Sequence, residues 1–376
     1  MGCFFVLMKS IGYRMMNMYD NQFQIPKVDV LSWDPNKYVT VDVRSPGEYQ
    51  EFSMPSSINL PIFDNDERSK VGTVYKQMGK EEAIRLGLDF FSKKIQGIFD
   101  LILNLRSSYS TKRIVIVCAR GGMRSNSVVS TLNMLGIDCL QLDGGIRAYR
   151  ENITTRLQTH AERLKFYYVL SGNTGTKKTD VLRRLKLEGY PVIDLEDLAS
   201  HRGSAFGGIG LKSRSQKEFE LLLVGELDRY YHSPYLLIES ESKRIGNIVV
   251  PDFIMAGKRK GVRIELEYPF MERVQHLLET YQPNNNQNRI IEAFLIIKKR
   301  MQKHVGNEIH DLLLKRDYEK AFVMLLTHYY DPRYDHSMRQ EHQEIVHVNF
   351  TDIYDAVAKV KQVIADKQID CFRRMV

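Results

Sequence analysis

The stretch Ile114-Val115-Ile116-Val117-Cys118-Ala119-Arg120-Gly121-Gly122-Met123-Arg124-Ser125 decides the fold. Its first four residues are β-branched and apolar, which is the pattern of a buried strand. The run ends in a cysteine, and a loop bearing two glycines and two arginines follows. Ser125 opens a helical pattern carried by Val128, Val129, Leu132 and Leu135. Strand, loop, helix is the arrangement that points successive backbone N–H groups at one spot. A cysteine at the base of that loop faces amide dipoles, a helix N-terminus and Arg120 or Arg124, each of which favours thiolate over thiol. The stretch reads as a nucleophilic sulfur, Cys118, in an anion cradle made by Arg120, Gly121, Gly122 and Arg124.

Working outward, strands alternate with helices on both sides. Val39 to Arg44 is a strand with a polar end, Ser45 to Tyr49 a turn into a helix, and Ile58-Asn59-Leu60-Pro61 a second short strand. Apolar residues at Ile84, Leu88, Phe91, Ile95, Ile98 and Ile102 repeat at helical spacing and predict a long helix from about Glu81 to Leu105. Cys139 to Leu142 is the strand after the cysteine loop, and Gly144-Gly145 turns it into a further helix. Alternation of this kind implies a parallel sheet, with sites at the carboxyl ends of its strands. Cys118 stands at such an end.

A second strand–loop–helix lies downstream. Phe166 to Leu170 leads into Ser171-Gly172-Asn173-Thr174-Gly175-Thr176-Lys177-Lys178-Thr179 and a helix over Val181 to Leu187. This is close to a P-loop, in which backbone amides and a lysine cradle phosphates. Gly172, Gly175, Lys178 and Thr179 are the candidate diphosphate-binding residues. Lys177 stands where the pattern has its second required glycine. Asp194, His201 and Arg202, then Glu241 and Arg244, follow in polar stretches near two later strand ends and complete a candidate polar site. Glu241 or Asp194 is placed to order a metal, as the strand-end acid of P-loop proteins does. Further on come Lys258-Arg259-Lys260, Arg263, and a predicted helix over Arg289–Val305 carrying Lys298, Lys299, Arg300 and Lys303. Pro283 to Gln287 reads as a loop. The basic cluster is a candidate contact for phosphates, and Tyr329, Tyr330 and Tyr334 for bases.

The chain has 376 residues, enough for two domains, with 43% hydrophobic and 27% charged residues. A net charge of +8 suits a polyanionic partner. No apolar run approaches the roughly 20 residues of a membrane span. The cysteines Cys3, Cys118, Cys139 and Cys371 have no paired spacing, which argues for a reducing cytoplasm and against disulfides or a zinc site. Residues 1–24 read as a ragged extension with Met8, Met15, Met16 and Met18 as alternative starts.

Asp42-Val43-Arg44-Ser45-Pro46-Gly47-Glu48-Tyr49, Ile58-Asn59-Leu60-Pro61 and the cysteine loop resemble a rhodanese domain. Glu67-Arg68, Val71 to Lys76, the loop from Cys118 to Ser125 and Gly144 to Arg150 resemble, more narrowly, the tRNA 2-selenouridine synthase family. So do the Val192–Gly207 and Tyr235–Pro251 stretches. Ordinary rhodaneses commonly carry a cysteine loop one residue shorter. The resemblance implies an α/β protein: a rhodanese-like parallel-sheet domain over 25–155, then a P-loop NTPase-like α/β domain over 164–376 with a helical C-terminal part. It implies a transferase that replaces sulfur by selenium at C2 of a wobble 2-thiouridine in tRNA. The route passes through an S-geranylated intermediate and uses selenophosphate and geranyl diphosphate, with no tightly bound cofactor and Mg²⁺ as an option. Cys118 would take selenium as a perselenide, and the P-loop would hold the diphosphate. The residues alone leave two other readings open: a phosphatase or sulfurtransferase on the rhodanese scaffold, suggested by the five residues between Cys118 and Arg124, and a non-catalytic tRNA-binding protein with a decayed P-loop.

Overall fold

The computed structural model describes residues 25–163, 165–338 and 344–373. The N-terminal extension with Cys3, the start of the second domain at Leu164 and the side chain of Cys371 fall outside the described residues. The chain divides into two compact units, Met1–Thr155 and Arg156–Val376, and the division falls within one helix, Gly145–Ala161.

The first unit is built on a five-stranded sheet in the order β1-β5-β4-β2-β3, with β1 Lys27–Val28, β2 Tyr38–Asp42, β3 Ile58–Asn59, β4 Arg113–Val117 and β5 Cys139–Leu142. Every pairing in it is parallel. The chain leaves β2 toward β3 on one side and returns to β4 on the other, so the switch in strand order lies between β2 and β4. That is where an open α/β sheet leaves a crevice for ligands. The run read as a buried strand is β4, with Val115, Ile116 and Val117 wholly buried. The long helix predicted from its apolar spacing is Lys80–Ser108, three residues longer at its C-terminal end than the pattern indicated. Its Ile98 and Ile102 pack with Val41, Ile114, Ile116 and Val128 in one core. A second helix, Asn65–Gln77, precedes it, its Asp64 N-cap accepting from the Glu67 amide in a capping box.

The second unit has a parallel sheet in the order β12-β11-β6-β8-β7. Its strands are β6 Phe166–Ser171, β7 Val192–Ile193, β8 Tyr235–Glu239, β11 Val262–Glu267 and β12 Ile345–Asn349, and a small hairpin pairs β9 Arg244–Ile245 with β10 Ile248–Val249. The P-loop-like strand β6 is central. Its neighbour β8 ends in Glu239, so a carboxylate is delivered beside the loop that follows β6. Two cores pack on this sheet, and a third, helical, gathers around Phe206, Phe294, Ile309 and Phe322.

Two expectations about the C-terminal part are corrected. Pro283 to Gln287 is not an open loop: it is a helical turn, with proline at a first-turn position where its missing N–H costs nothing, set off by a kink at Asn286 from the helix that continues to Lys298. Nor does one helix run to Val305. The first ends at Lys298, and a second begins at Lys303. The final helix is Ile353–Arg373. Among the described residues no helix is long and apolar enough to cross a membrane.

Candidate active sites

In the first unit Cys118 directly follows β4, and the helix Met123–Met134 begins after four loop residues. The loop is held from below. The carbonyls of Cys118 and Ala119 accept from the amides of Ile146 and Arg147, each at 3.0 Å. Contact here is backbone to backbone: a Cβ on Gly145 would lie 2.2 Å from the Cys118 carbonyl oxygen, and Gly145 has φ +61°. Gly145 is therefore a packing requirement of the cysteine loop. With carbonyls turned into these bonds, the first-turn amides of the Met123–Met134 helix remain as donors.

Cys118 is buried, and its Sγ lies 3.0 Å from the Ser125 hydroxyl. Ser125 Oγ in turn accepts from Gln141 Nε2 at 2.7 Å. Gln141 fixes the Ser125 oxygen as an acceptor, and the hydroxyl proton has two acceptors in reach, the Gly122 carbonyl at 3.2 Å and the sulfur. Ser125 and Gln141 are both wholly buried, and Gln141 also donates to Asn126. The sequence reading used Ser125 only as a helix start and missed Gln141, because the strand register that puts β5 beside β4 is not local information. Gln141→Leu is expected to lower the rate at this site by about tenfold while leaving substrate affinity near the parent value; single-turnover kinetics beside a binding titration check it.

Arg124 is less free than expected. Its guanidinium makes two bonds to Glu48, at 2.7 and 3.2 Å, and Arg68 lies 3.5 Å from the same carboxylate. Burial pushes the Glu48 carboxyl up, but Arg124 and Arg68 outweigh it and hold the group below the usual carboxylate range. Arg120 is exposed at the mouth. The cavity over Cys118 measures about 1010 Å³ and is lined by Cys118, Arg120, Gly122, Arg124, Glu48 and Arg68 together with apolar residues of the two helices before β4. Gly121, with φ +61°, is the turn of the loop.

In the second unit a cavity of about 800 Å³ opens over the P-loop-like turn. Gly172 and Gly175 have φ of +141° and +90°. Lys177 holds a left-handed conformation, φ 57° and ψ 25°, which is the backbone state the missing glycine would have adopted. Its ammonium lies 5.1 Å from the Tyr268 ring centre. Lys178 Nζ bonds the carbonyls of Gly172 at 2.7 Å and Asn173 at 3.3 Å, so its charge sits over the loop. From outside, buried Arg273 braces the turn by donating to the Thr174 carbonyl at 2.9 Å and pairing with Asp331.

Thr179 Oγ1 lies 2.8 Å from Glu239 and 3.1 Å from Glu196. One hydroxyl has one proton, so both contacts are hydrogen bonds only if a carboxyl is itself protonated. The surroundings favour this. Burial raises Glu239 well above the ordinary carboxylate range, reinforced by Glu196. Burial raises Glu196 to about 8, with Glu241 adding to the shift and Lys178 opposing it. Oxygens of Glu196, Glu239 and Glu241 lie within 4.8 Å of one another, and Glu239 Oε2 is buried without a partner. Hard carboxylate oxygens, a hydroxyl and an orphaned acceptor fit a divalent cation such as Mg²⁺. Of the two alternatives for a metal-ordering acid, Glu241 lies in this cluster. Asp194 caps the helix Leu195–Ala199, accepting from the Asp197 amide at 2.8 Å.

A proton count follows from these shifts. Between the ordinary Glu value near 4.5 and about 8, the folded chain binds a proton at Glu196 that the unfolded chain does not. The metal-free second unit is therefore expected to lose stability as pH rises through this window. Cation binding must expel the proton, so affinity for Mg²⁺ or Mn²⁺ is expected to rise from pH 6.5 to 8.5. Calorimetric titration at the two pH values, with Glu196→Gln as control, measures both affinity and protons released. Flat affinity with no proton release would remove Glu196 from the ligand set.

Of the other candidates, Arg202 lines the cavity, its guanidinium 5.8 Å from the Tyr281 ring centre. His201 does not share this role: its ring fills the space above Gly207 and Gly246, where an added Cβ would lie 2.7 and 2.9 Å from it. Arg244 is exposed on the small β9–β10 hairpin. Gly203 lies against the Glu241 carboxylate with φ +64°, a left-handed backbone that favours glycine. The basic segments also divide. Lys258 is buried and donates to the Glu241 carbonyl, and Arg263 is buried, donating to Ser171 at 2.8 Å; neither is a surface cation. Lys299, Arg300 and Lys303 are exposed, with Lys298 half-buried. Tyr334 accepts from the Gly172 amide at 2.6 Å and donates to Glu265, and Tyr329 is buried, so these rings are packing and bracing groups rather than free stacking platforms.

Fold and sites together define a two-part α/β protein: a cysteine-loop domain of the rhodanese type and a P-loop domain. Residues 29–152 match the rhodanese-like domain model, and residues 165–365 match the model described as the tRNA 2-selenouridine synthase AAA domain. The chain belongs to the tRNA 2-selenouridine synthase family, whose members are enzymes of tRNA modification. The protein of that name from Hydrogenovibrio crunogenus is 31% identical over 84% of this chain and 93% of its own length. That from Nitrosomonas europaea is 34% identical over 64% of this chain and 63% of its own. A solved N-terminal domain of a Clostridium difficile 630 protein is 44% identical over 34% of this chain and 98% of its own length, with a TM-score of 0.32.

Proposed function

We propose that this chain replaces sulfur by selenium at C2 of the wobble 2-thiouridine of tRNA, through an S-geranylated intermediate, with selenophosphate and geranyl diphosphate as donors. The observation that carries the reading is the pairing, in one chain, of a sulfur nucleophile at an anion loop with a separate phosphate-binding turn. In the first unit the loop amides and Arg120 bind the phosphoryl oxygens of selenophosphate beside Cys118. Selenium stays at the oxidation level of selenide throughout: the Cys118 thiolate takes the phosphoryl group, the selenide so released adds at C2 of the S-geranylated base with loss of geranyl thiolate, and water then frees Cys118 as phosphate departs. In the second unit Gly172, Gly175, Lys178 and Thr179 hold the diphosphate of the prenyl donor. Glu196, Glu239, Glu241 and Thr179 would hold Mg²⁺, which when bound supplies charge neutralisation to the diphosphate leaving group. The P-loop cavity also has an apolar side, formed by Leu211, Leu277 and Tyr281, that suits a prenyl chain better than a nucleotide ribose.

The phosphatase reading lacks its acid. The carboxylate beside the cysteine loop is Glu48, and it is held in the charged form by Arg124 and Arg68, which disqualifies it as a proton donor to a leaving oxygen. Incubation of the full chain with 2-thiouridine tRNA and both donors, followed by mass analysis of nucleosides, tests the proposal. Selenouridine that requires both donors supports it; turnover of an aryl phosphate without any nucleoside change would replace it.

Binding of tRNA by the exposed cations is tested separately. Replacing Lys299, Arg300 and Lys303 by alanine together is expected to weaken binding and reduce the slope of log affinity against log salt by roughly one unit per lost phosphate contact. An unchanged slope would make these residues solvated helix ends only.

A further inference from the structure

The cavity over Cys118 is far larger than selenophosphate needs, and its walls are of two kinds. One wall is cationic, with Arg68, Arg120 and Arg124. The other is apolar and open. Tyr75, Ile84, Leu88 and Met123 all line it while remaining 56%, 42%, 62% and 52% exposed. Single exposed apolar side chains are ordinary. Here they come from separate elements, the helices Asn65–Gln77 and Lys80–Ser108 and the start of Met123–Met134, and converge on one rim. Ile84, Leu88 and Phe91 follow one another at i, i+4 and i+7, which puts them on one helix face. Buried Ile62, Phe63 and Ala83 continue the same surface inward.

We propose that this apolar rim, centred on Ile84 and Leu88, seats the prenyl chain of the S-geranylated wobble nucleotide while the nucleotide's C2 lies at Cys118. The inference rests on the function proposed above and names the ligand of its selenium-transfer site. A cavity of about 1010 Å³ matches a nucleoside carrying a ten-carbon chain. The polar wall, where Glu48 pairs with Arg124 and Arg68 and where Arg120 stands exposed, is left to selenophosphate. A covering protein segment would satisfy the apolar rim but would also cap the nucleophile, since Cys118 opens into the same cavity. A chain attached to the reacting nucleotide covers the rim and leaves C2 at the sulfur. The seat also gives order to the reaction: unprenylated 2-thiouridine lacks the group that this rim binds.

The test uses the full chain and anticodon stem-loop RNAs carrying 2-thiouridine, S-methyl-2-thiouridine or S-geranyl-2-thiouridine at the wobble position. The parent is expected to bind the geranylated RNA at least about tenfold more tightly than the S-methyl RNA, because buried methylenes add affinity. The double variant Ile84→Asn, Leu88→Asn is expected to lose that preference. It should keep its affinity for 2-thiouridine RNA and its prenyl transfer from geranyl diphosphate, and Leu88→Met alone should keep the preference. Both positions are exposed, and circular dichroism checks that the variant is folded. A double variant that still prefers the geranylated RNA overturns the inference and leaves the proposed function standing. A parent that forms no selenouridine from geranylated RNA sinks the function and the inference with it. A parent that sediments as a dimer, and a double variant that does not, would make the rim an interface between copies and overturn the inference.

Discussion

Cys118→Ser is expected to abolish selenium transfer, lowering the rate by more than about a hundredfold, while tRNA affinity stays near the parent value. The loop around the residue is not built by its side chain. It is fixed by the bonds from Ile146 and Arg147 and by the backbone contact of Gly145, so the variant keeps the cradle and loses only the sulfur. Serine also preserves the contact with Ser125, which makes loss of the cradle a poor explanation for loss of rate. Prenyl transfer, assigned to the other unit, should be unaffected, so S-geranyl-2-thiouridine should accumulate. Selenouridine at more than about one per cent of the parent rate would mean that selenophosphate reacts without a sulfur nucleophile and that Cys118 only shapes the pocket. Cys139 is the control, with a refinement. It is wholly buried, and burial together with Asp138 pushes its thiol up to about 12, so it is inert. A serine there buries a new hydroxyl and is expected to cost about 1–3 kcal/mol of stability without touching chemistry; alanine is the cleaner substitution.

The parts of both sites that lie in one continuous stretch were legible in the sequence. The cysteine loop and the P-loop-like turn each combine a β-branched run, glycines and a helical pattern, and local chemistry fixes what such a stretch becomes. The parts supplied by neighbouring strands were not. Gln141 reaches Ser125 only because β5 pairs with β4, and Glu239 reaches Thr179 only because β8 pairs with β6. Glu239 ends an apolar strand run, where one acid is easily taken for a strand terminator, and Glu241, two residues on, was chosen as the metal acid instead. Asp194 is ambiguous for a related reason: an aspartate at the end of a short strand is equally a helix cap, and here its carboxylate accepts from the Asp197 amide. Counting lysines and arginines misjudged Lys258 and Arg263, which are buried and engaged. A polar side chain with a buried partner looks the same in sequence as one facing solvent.

Lys178→Ala is expected to abolish prenyl transfer, whereas Lys177→Gly is expected to be tolerated. The two neighbours differ in what the backbone asks of them. Lys178 begins the helix Lys178–Leu187, and its ammonium bonds the Gly172 and Asn173 carbonyls, so it is already stationed over the turn that would hold phosphate. Removing it takes away a preorganised charge at the leaving diphosphate, a loss of about a hundredfold to a thousandfold in rate. Lys177 caps that helix in a left-handed conformation, which costs a residue with a Cβ roughly 1–2 kcal/mol and a glycine almost nothing. Glycine would relieve that strain, give back part of the gain to the greater freedom of the unfolded chain, and lose the cation over the Tyr268 ring. The expected net change in stability is small, within about 1 kcal/mol. The turn therefore keeps the backbone path of a glycine-bearing P-loop even with lysine in place, and the departure adds positive charge without reshaping the loop. That charge suits any diphosphate-bearing ligand, so it is the proposed prenyl-donor role, and not the loop's shape, that predicts slow hydrolysis of ATP or GTP. Titration of geranyl diphosphate and of GTP against the parent and the two variants decides the matter. Thr179→Ala, measured with and without Mg²⁺, then reports whether its hydroxyl serves the cation or only the two carboxyl groups beside it. Normal prenylation by Lys178→Ala, or tight GTP binding with rapid turnover by the parent, would show that the turn serves a nucleotide and that the prenyl donor binds elsewhere.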